Sequence, residues 1–395
     1  MAGTAELPSE MTGEILHRLP AKDLLRCRCV NKLWRSVIDD RSFVKKHLQH
    51  MTGSAGAENH RITILRDSYL QKLYSAEMEP PYRVRELPRT PMRVKLVGSC
   101  NGLLCLASSF SLHFLLWNPL TNSRARLPLP GSPRRESVTV GGRSLTIISW
   151  ANDPVFGFGY DSVKEDYKVV IIDHEIREGY QDIRVYSSRR NSWRRFRDER
   201  YKIYCLLSQS RMGVYACNNL HWVMTRRSDS NETRLIVAFD LSINNYREVP
   251  LPFYLGKGFW VEVAVLGGCL GMVVNSSQEN VSGVWIMREY GSRESWVKLL
   301  PIPWPEFVEF GNDYNLHPSN SGGTLLVEGV DKNFHWFDAK SQCFRSFKFD
   351  LAVNESFDAA HESFVAEVCV GSLVGADVHV RTQTGAPAAA AAPTI

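Results

Sequence analysis

One short pattern recurs along most of the chain and constrains its fold more than any other feature. It consists of a strand that ends in an aromatic residue, a polar turn, and an aromatic or basic residue that opens the next strand. The aromatic residues that end the first strand are Trp117, Tyr186, Phe239, Trp285 and Phe337, at spacings of 69, 53, 46 and 52 residues. A unit that recurs at a nearly constant interval buries its apolar surface by stacking on its neighbours. The pattern therefore predicts a repeat architecture.

The composition of the recurring pattern is typical of a β-hairpin. In three copies an Asn or Asp follows the first aromatic residue, where its side chain can bond to the backbone of its own turn. The aromatic residue that opens the second strand can then pack on the first one across the strand pair. The turn residues are Asn118, Asp240 and Asp338, and the second aromatic residues are Trp193, Tyr246, Trp296 and Phe344.

A second pattern, a Gly/Asn/Cys turn followed by an apolar strand, precedes most copies of the first. It is present as SCNGLLCL (99–106), ACNNLHWV (216–223), LGGCLGMV (266–273) and SGGTLLVE (321–328), and GFGYDSVKEDYKVVII (157–172) replaces it once. Together the two patterns supply about four strands per unit of roughly fifty residues, which is typical of a β-propeller blade of kelch length.

The two ends of the β-rich region predict one further blade. Strand-like residues 61–78 have no preceding unit, and residues 363–373 form a strand left over at the far end. If the two segments pair, they close the ring and hide the open sheet edges. We therefore predict about six blades, with a β-sandwich as the alternative.

The first forty residues have a different, helical periodicity. Apolar residues recur there at helical spacing in two stripes, Met11, Ile15, Leu16 and Leu19 in the first and Val30, Leu33, Trp34, Val37 and Ile38 in the second. Three short helices are predicted, and a domain of this size seldom buries all of its apolar surface by itself. The remaining surface is covered either by the rest of this chain or by another protein, and periodicity does not distinguish the two.

These differences in composition and periodicity divide the chain into four segments. We predict a helical domain over 1–48, a linker over 49–60, a β-propeller over 61–374 and an Ala/Pro-rich, disordered tail over 375–395.

Composition excludes several classes of function. The net charge of +5 is too small to indicate a nucleic-acid partner, and no apolar run is long enough to span a membrane. The nine cysteines include no CxxC pair, so no zinc site or other metal site is expected, and no cofactor either. No signal peptide and no catalytic motif is present, so we expect a non-enzyme of the cytoplasm or the nucleus.

Two segments carry a resemblance to known families. LPSEMTGEILHRLPAKDLLRCRCVNKLWRSVIDDRSFVKKHL (7–48) resembles the F-box of plant F-box proteins. Residues 95–350 resemble the F-box-associated domain with kelch-like repeats, because they contain, in this order, SCNGLLCL, LWNPLTNSRARLP, FGFGYDSVKEDYKVV, VYSSRRNSWRRF and IVAFDLSINNYREVPLP. The resemblance implies a substrate receptor of an SCF-type ubiquitin ligase. In that family the F-box docks on a Skp-family adaptor, which joins a cullin scaffold and a RING subunit, and the propeller captures a target protein.

The sequence also nominates residues for the two surfaces that such a receptor needs. For the adaptor surface and the small core beneath it, they are Leu7, Pro8, Ile15, Leu16, Leu19, Pro20, Leu25, Val30 and Trp34. For substrate binding, they are Arg190, Trp193, Arg195, Trp260 and Trp304. A solvated basic hairpin and packing between blades are the alternative interpretations of these last five. The alternative function is an F-box scaffold, or a propeller that binds a glycan or small molecule, acting outside the ligase.

Overall fold

The computed structural model describes residues 9–53, 61–67, 73–76, 84–88, 94–108, 113–131, 134–140, 143–149, 154–175, 179–204, 212–256, 259–266, 268–276, 281–303, 317–318, 324–328, 334–338, 343–347 and 364–376. Among these residues, no helix is both long enough and apolar enough to cross a membrane.

Residues 9–53 of the N-terminal domain form four helices, where the sequence predicts three. They are α1 (Ser9–His17), α2 (Ala21–Cys27), α3 (Lys32–Asp39) and α4 (Arg41–Gly53). The fourth helix begins because Asp40 ends α3 and caps the next helix: its carboxylate accepts the backbone N–H groups of Ser42 and Phe43 at 2.9 and 3.2 Å. The helix runs to Gly53, past the predicted domain boundary at residue 48.

The core of the helical domain is small. Leu16, Leu24, Ile38 and Phe43 are its buried members, one from each helix. Since each helix contributes one large apolar side chain, the core is complete only when all four helices pack together.

The described strands of the β-rich region form six four-stranded blades. Blade 1 takes β1 (Arg61–Asp67), β2 (Leu73–Ala76) and β3 (Val84–Glu86), and blade 2 takes β4 (Val94–Cys100), β5 (Leu103–Ser108), β6 (Phe114–Trp117) and β7 (Arg124–Arg126). A separate hairpin, β8 (Arg134–Val140) and β9 (Arg143–Ser149), follows. Blade 3 takes β10 (Val155–Asp161), β11 (Asp166–Glu175), β12 (Tyr180–Ser187) and β13 (Ser192–Asp198).

The remaining strands repeat the same antiparallel order. After β14 (Tyr201–Ile203), which pairs with β16, blade 4 takes β15 (Met212–Ala216), β16 (Asn219–Arg226), β17 (Arg234–Asp240) and β18 (Asn245–Glu248). Blade 5 takes β19 (Phe259–Leu266), β20 (Cys269–Ser276), β21 (Val281–Met287) and β22 (Trp296–Pro303). Blade 6 takes β23 (His317–Pro318), β24 (Thr324–Glu328), β25 (Phe334–Asp338) and β26 (Cys343–Phe347), and β27 (Phe364–Val370) returns to blade 1.

The ring closes as the sequence predicts. Strand β27 pairs antiparallel with β1, from Arg61 opposite Val370 to Asp67 opposite Phe364. The first strands of neighbouring blades contact one another in a complete circuit, β27 to β4, β10, β15, β19, β23 and back to β27. This circuit is a six-bladed propeller and not a β-sandwich.

The residues after β27 form hydrogen bonds to blade 2 and so stabilise the closed ring. The Asn118 side chain donates to the carbonyls of Ser372 and Val374 at 2.9 and 2.8 Å, and the Ser372 hydroxyl donates to the Asn101 carbonyl at 2.7 Å. Val374 and Ala376 are buried in the apolar core between blades 2 and 3, so ordered packing continues to residue 376. The rest of the tail, 377–395, lies outside the described residues, as do residues 54–60 of the predicted linker.

The helical domain rests directly on the propeller. Val44 and Leu48 of α4 pack against the core between blades 2 and 3, and Leu373 packs against the helical core. An ion pair joins Lys45 of α4 to Glu165 of blade 3. The two domains therefore have a defined relative orientation.

Candidate adaptor and substrate surfaces

Large apolar side chains project from the helical domain away from its core. They are Met11, Ile15, Val30 and Leu33, which are 54%, 51%, 70% and 47% exposed. Met11 and Ile15 lie four residues apart on α1, and Leu33 is on α3, which contacts α1. We call these four residues the apolar face. Because the core is complete without them, they are available to another protein.

The residues nominated for the adaptor surface divide between this face and the core. Ile15 and Val30 are exposed, and Leu25 is half-buried. Leu16 is buried in the core, Leu19 and Trp34 pack against it, and Pro20 occupies the position before α2. Leu7 and Pro8 lie outside the described residues. Met11 and Leu33 were not nominated, although both stand on the helical stripes that the sequence shows.

The aromatic residue of the basic hairpin is used in packing between blades. The Trp193 indole N–H donates to the Pro128 carbonyl at 2.7 Å, and its ring lies 5.4 Å from that of Tyr186 and 5.6 Å from that of Phe114. Trp296 makes the equivalent bond to Pro250 at 2.8 Å. In both cases, a proline carbonyl in the Leu-Pro-Leu-Pro or Val-Pro-Leu-Pro segment that follows one blade accepts the indole N–H of a tryptophan in the next blade.

The other nominated substrate residues have different environments. Arg195 donates to Asp182 at 2.5 Å, and Arg190 is exposed in the turn between β12 and β13. Trp260 belongs to β19, but its side chain lies outside the described residues, as does the whole of Trp304.

Arg190 borders a basic cleft between blades 3 and 4, with a volume of about 350 Å³. Five of the residues that line the cleft are cationic and one is acidic. The lining consists of Lys164, Asp166, Lys168, Val185, Ser187, Arg189, Arg190, Ser192, Arg194 and Asn244. In each blade, the turn between strands one and two and the turn between strands three and four lie at the same end of the sheet, because consecutive strands are antiparallel. The cleft lies on the face of the propeller that these turns form. We call this face the turn face.

An ion pair is buried at the floor of the cleft. Lys168 lies 3.3 Å from Asp161 and also donates to the Leu241 carbonyl and, at 3.2 Å, to the Asn244 side chain. Burial lowers the pKa of Lys168, although the Asp161 carboxylate opposes this shift. Burial acts to raise the pKa of Asp161, but hydrogen bonds from the Lys164 N–H and the Ser242 hydroxyl, together with Lys168, hold that pKa below its usual value.

A second pocket of about 450 Å³ at the edge of blade 4 is lined by two arginines and one glutamate. Glu248 accepts two bonds from Arg226, at 2.7 and 2.5 Å. Arg234 donates to the Gly256 carbonyl at 2.8 Å and to the Tyr204 hydroxyl. With two cations and one anion in its lining, this pocket is less strongly charged than the basic cleft, which has five cations and one acidic residue.

The fold and these surfaces define a binding protein with two parts, a helical docking domain and a propeller. Comparison with known families agrees: residues 5–46 match the F-box domain, and residues 58–373 match the F-box associated beta propeller domain. The chain is 31% identical over 392 residues to F-box protein CPR1 of Arabidopsis thaliana, covering 94% of this chain and 89% of that protein. It is also 31% identical over 312 residues to F-box/kelch-repeat protein At3g23880 of the same plant, covering 75% and 79%.

The chain therefore belongs to the plant-type F-box proteins that carry an F-box-associated β-propeller. An F-box implies binding to a Skp-family adaptor in SCF complexes, and F-box proteins are in general non-catalytic adaptors.

Proposed function

We propose that this chain is the substrate-recognition subunit of an SCF-type ubiquitin ligase. Its F-box docks on a Skp-family adaptor, and through it on a cullin and a RING subunit, in the cytoplasm or the nucleus. Its propeller captures a protein and holds it for ubiquitination and degradation. The uncovered apolar face on a helical domain with a complete core carries this proposal, since such a face suits insertion into an apolar groove.

The contact between the domains supports the same role. Val44, Leu48 and the Lys45–Glu165 ion pair hold α4 against the propeller, so that a substrate on the propeller has a set position relative to the adaptor. A receptor of this kind contributes to ubiquitin transfer by positioning the acceptor and does no chemistry itself.

Substitution of the apolar face tests the proposal. We expect the double variant Ile15→Asp, Val30→Asp to bind a purified Skp-family adaptor at least about 30-fold more weakly, because the loss of a central interface side chain typically costs about 2 kcal/mol or more. Both side chains are more than half exposed, so the fold should be retained, as circular dichroism would show.

A control variant of matched exposure is Leu129→Asp, since Leu129 is 50% exposed but lies on the propeller. It should bind the adaptor like the unaltered chain. Adaptor binding that survives in the double variant would contradict the proposal. Purification from cells with adaptor but without cullin would favour the alternative, a scaffold outside the ligase.

A further inference from the structure

The basic cleft lies on the same side of the propeller as the F-box. Lys164 lines the cleft, and the next residue, Glu165, forms the ion pair with Lys45 of α4. Leu373, which packs on the helical core, follows the end of β27 on this turn face. A group bound in the cleft is therefore held beside the domain that carries the adaptor.

Three of the seven cations in the basic run 187–202 are already engaged within their own blade. Arg195 bonds to Asp182 at 2.5 Å, Arg200 bonds to Asp198 at 2.8 Å, and Arg197 lies 4.5 Å from the ring centre of Tyr180. The run is consequently not a continuous basic stripe of the kind that binds a nucleic-acid backbone.

Two arginines of the cleft differ from these. Among the described residues, the guanidinium groups of Arg190 and Arg194 have no hydrogen-bond acceptor and no carboxylate partner. Arg189 donates to the Lys164 carbonyl at 3.0 Å, and Lys164 donates to the Ser242 carbonyl. The two unpaired guanidinium groups can therefore be offered to a ligand without breaking an existing contact.

The turn that carries Arg190 is held in place before any ligand binds. Asp166 accepts the Ser187 hydroxyl at 2.6 Å and the Arg189 N–H at 2.8 Å, and the Ser187 hydroxyl accepts the Arg190 N–H at 3.2 Å. The one carboxylate in the lining is thus occupied by the turn itself. A preformed turn reduces the ordering cost of binding.

The donors match the chemistry of a phosphate group. Guanidinium groups bind phosphate oxygens through two parallel N–H bonds, and the neutral polar side chains Ser192 and Asn244 complete the rim. The cleft volume of about 350 Å³ suits one side chain that bears such a group, and its five cations are confined to this cleft instead of following an extended groove.

We propose that the basic cleft binds a phosphorylated serine or threonine of the protein substrate, with Arg190 and Arg194 as the principal phosphate ligands. This inference rests on the proposed function, in which the propeller captures a protein. It makes substrate recognition conditional on prior phosphorylation of the substrate by a protein kinase.

Binding of peptide libraries tests the inference. The full chain, purified with its Skp-family adaptor, is presented with degenerate peptides that share a fixed phosphoserine or phosphothreonine, and with matched libraries that carry serine, threonine or glutamate at that position. We expect the phosphorylated library to be retained at least about tenfold more strongly than the other two. The double variant Arg190→Ala, Arg194→Ala should lose at least tenfold of this retention.

The matched control is Arg197→Ala, an exposed arginine of the same strand on the opposite sheet face from Arg194, which should leave peptide retention unchanged. Equal retention of the phosphorylated and unphosphorylated libraries, or of the phosphorylated and glutamate libraries, would overturn the inference. So would full retention by the double variant. Binding of the Skp-family adaptor is measured on the same samples. If the unaltered chain does not bind the adaptor, that result contradicts the proposed function and not the inference about the cleft.

Discussion

At the scale of the residue, one buried polar side chain of the propeller joins two neighbouring blades through hydrogen bonds. His221 of blade 4 is 1% exposed. Its Nδ1 lies 3.0 Å from the Val214 carbonyl and its Nε2 lies 2.8 Å from the Tyr290 hydroxyl of blade 5. Since a carbonyl only accepts, Nδ1 carries the proton and Nε2 accepts from the tyrosine. The neutral ring is therefore built into the contact between two blades, and no catalytic role follows from it.

From the burial of His221 we predict that the protein loses stability in acid. Burial lowers its pKa from 6.5 to about 4, so the unfolded chain takes up a proton before the folded chain does. The associated stability is fully present above pH 6.5 and is lost as the pH falls toward 4, by about 3 kcal/mol in the free energy of unfolding. Urea unfolding between pH 7 and 4 measures this slope.

The His221→Gln variant should show a flatter dependence over the same range, whereas His113→Gln, at an exposed position, should keep the slope of the unaltered chain. An identical slope in all three proteins would contradict the assignment.

At the scale of the element, the junction of blades 3 and 4 depends on two glycines. Strands β10 and β15 pair in parallel with Phe156 opposite Met212 and Gly157 opposite Gly213. A Cβ atom at Gly213 would lie 2.4 Å from Cζ2 of Trp222, and one at Gly157 would lie 2.8 Å from the same atom. The absence of side chains at this pair lets the indole ring lie against both strands.

Gly213→Ala should therefore destabilise the propeller by about 1–3 kcal/mol, because the buried Trp222 ring must shift to admit the methyl group. Denaturant unfolding measures the change. If the clash is the cause, the double variant Gly213→Ala, Trp222→Leu should lose less stability than the sum of the two single variants. Strict additivity would point to another cause.

At the scale of the whole molecule, the ring is closed both by a strand pair and by the turn of blade 2. Asn118 is fully buried and uses its side chain twice. Its carbonyl oxygen accepts the N–H groups of Leu120 and Thr121 at 2.8 and 3.2 Å, as an Asx turn predicts, and its amide reaches the Ser372 and Val374 carbonyls. One side chain thus joins a local turn to a contact that spans most of the chain.

Asn118→Ala should cost about 3 kcal/mol in the free energy of unfolding, because it leaves two buried carbonyls and two turn N–H groups without this partner. We also expect faster proteolysis near residues 364–376. Thr121→Ala is the control, since it removes a single 3.3 Å turn bond and leaves the closure intact. Equal protease resistance of the two variants would contradict a role for Asn118 in closure.

Much of this molecule could be predicted because its repeats are local. The aromatic pairs do pack across hairpins: Phe239 and Tyr246 are opposite each other with ring centres 5.2 Å apart, and Tyr186 and Trp193 are opposite likewise. The long first spacing of 69 residues is explained by the hairpin β8–β9, which lies between blades 2 and 3. The fourth helix was not predicted, although Asp40 provides a clear cap.

By itself the sequence determined the helical domain, the six blades and their closing strands, because hairpins and helical stripes depend on residues close together in the chain. Only the tertiary structure decided which apolar side chains remain exposed, how α4 lies on the propeller, and that Trp193 packs between blades while Arg190 and Arg194 face a cleft. These outcomes depend on contacts between segments far apart in sequence, and alternation along one strand does not show what lies opposite it.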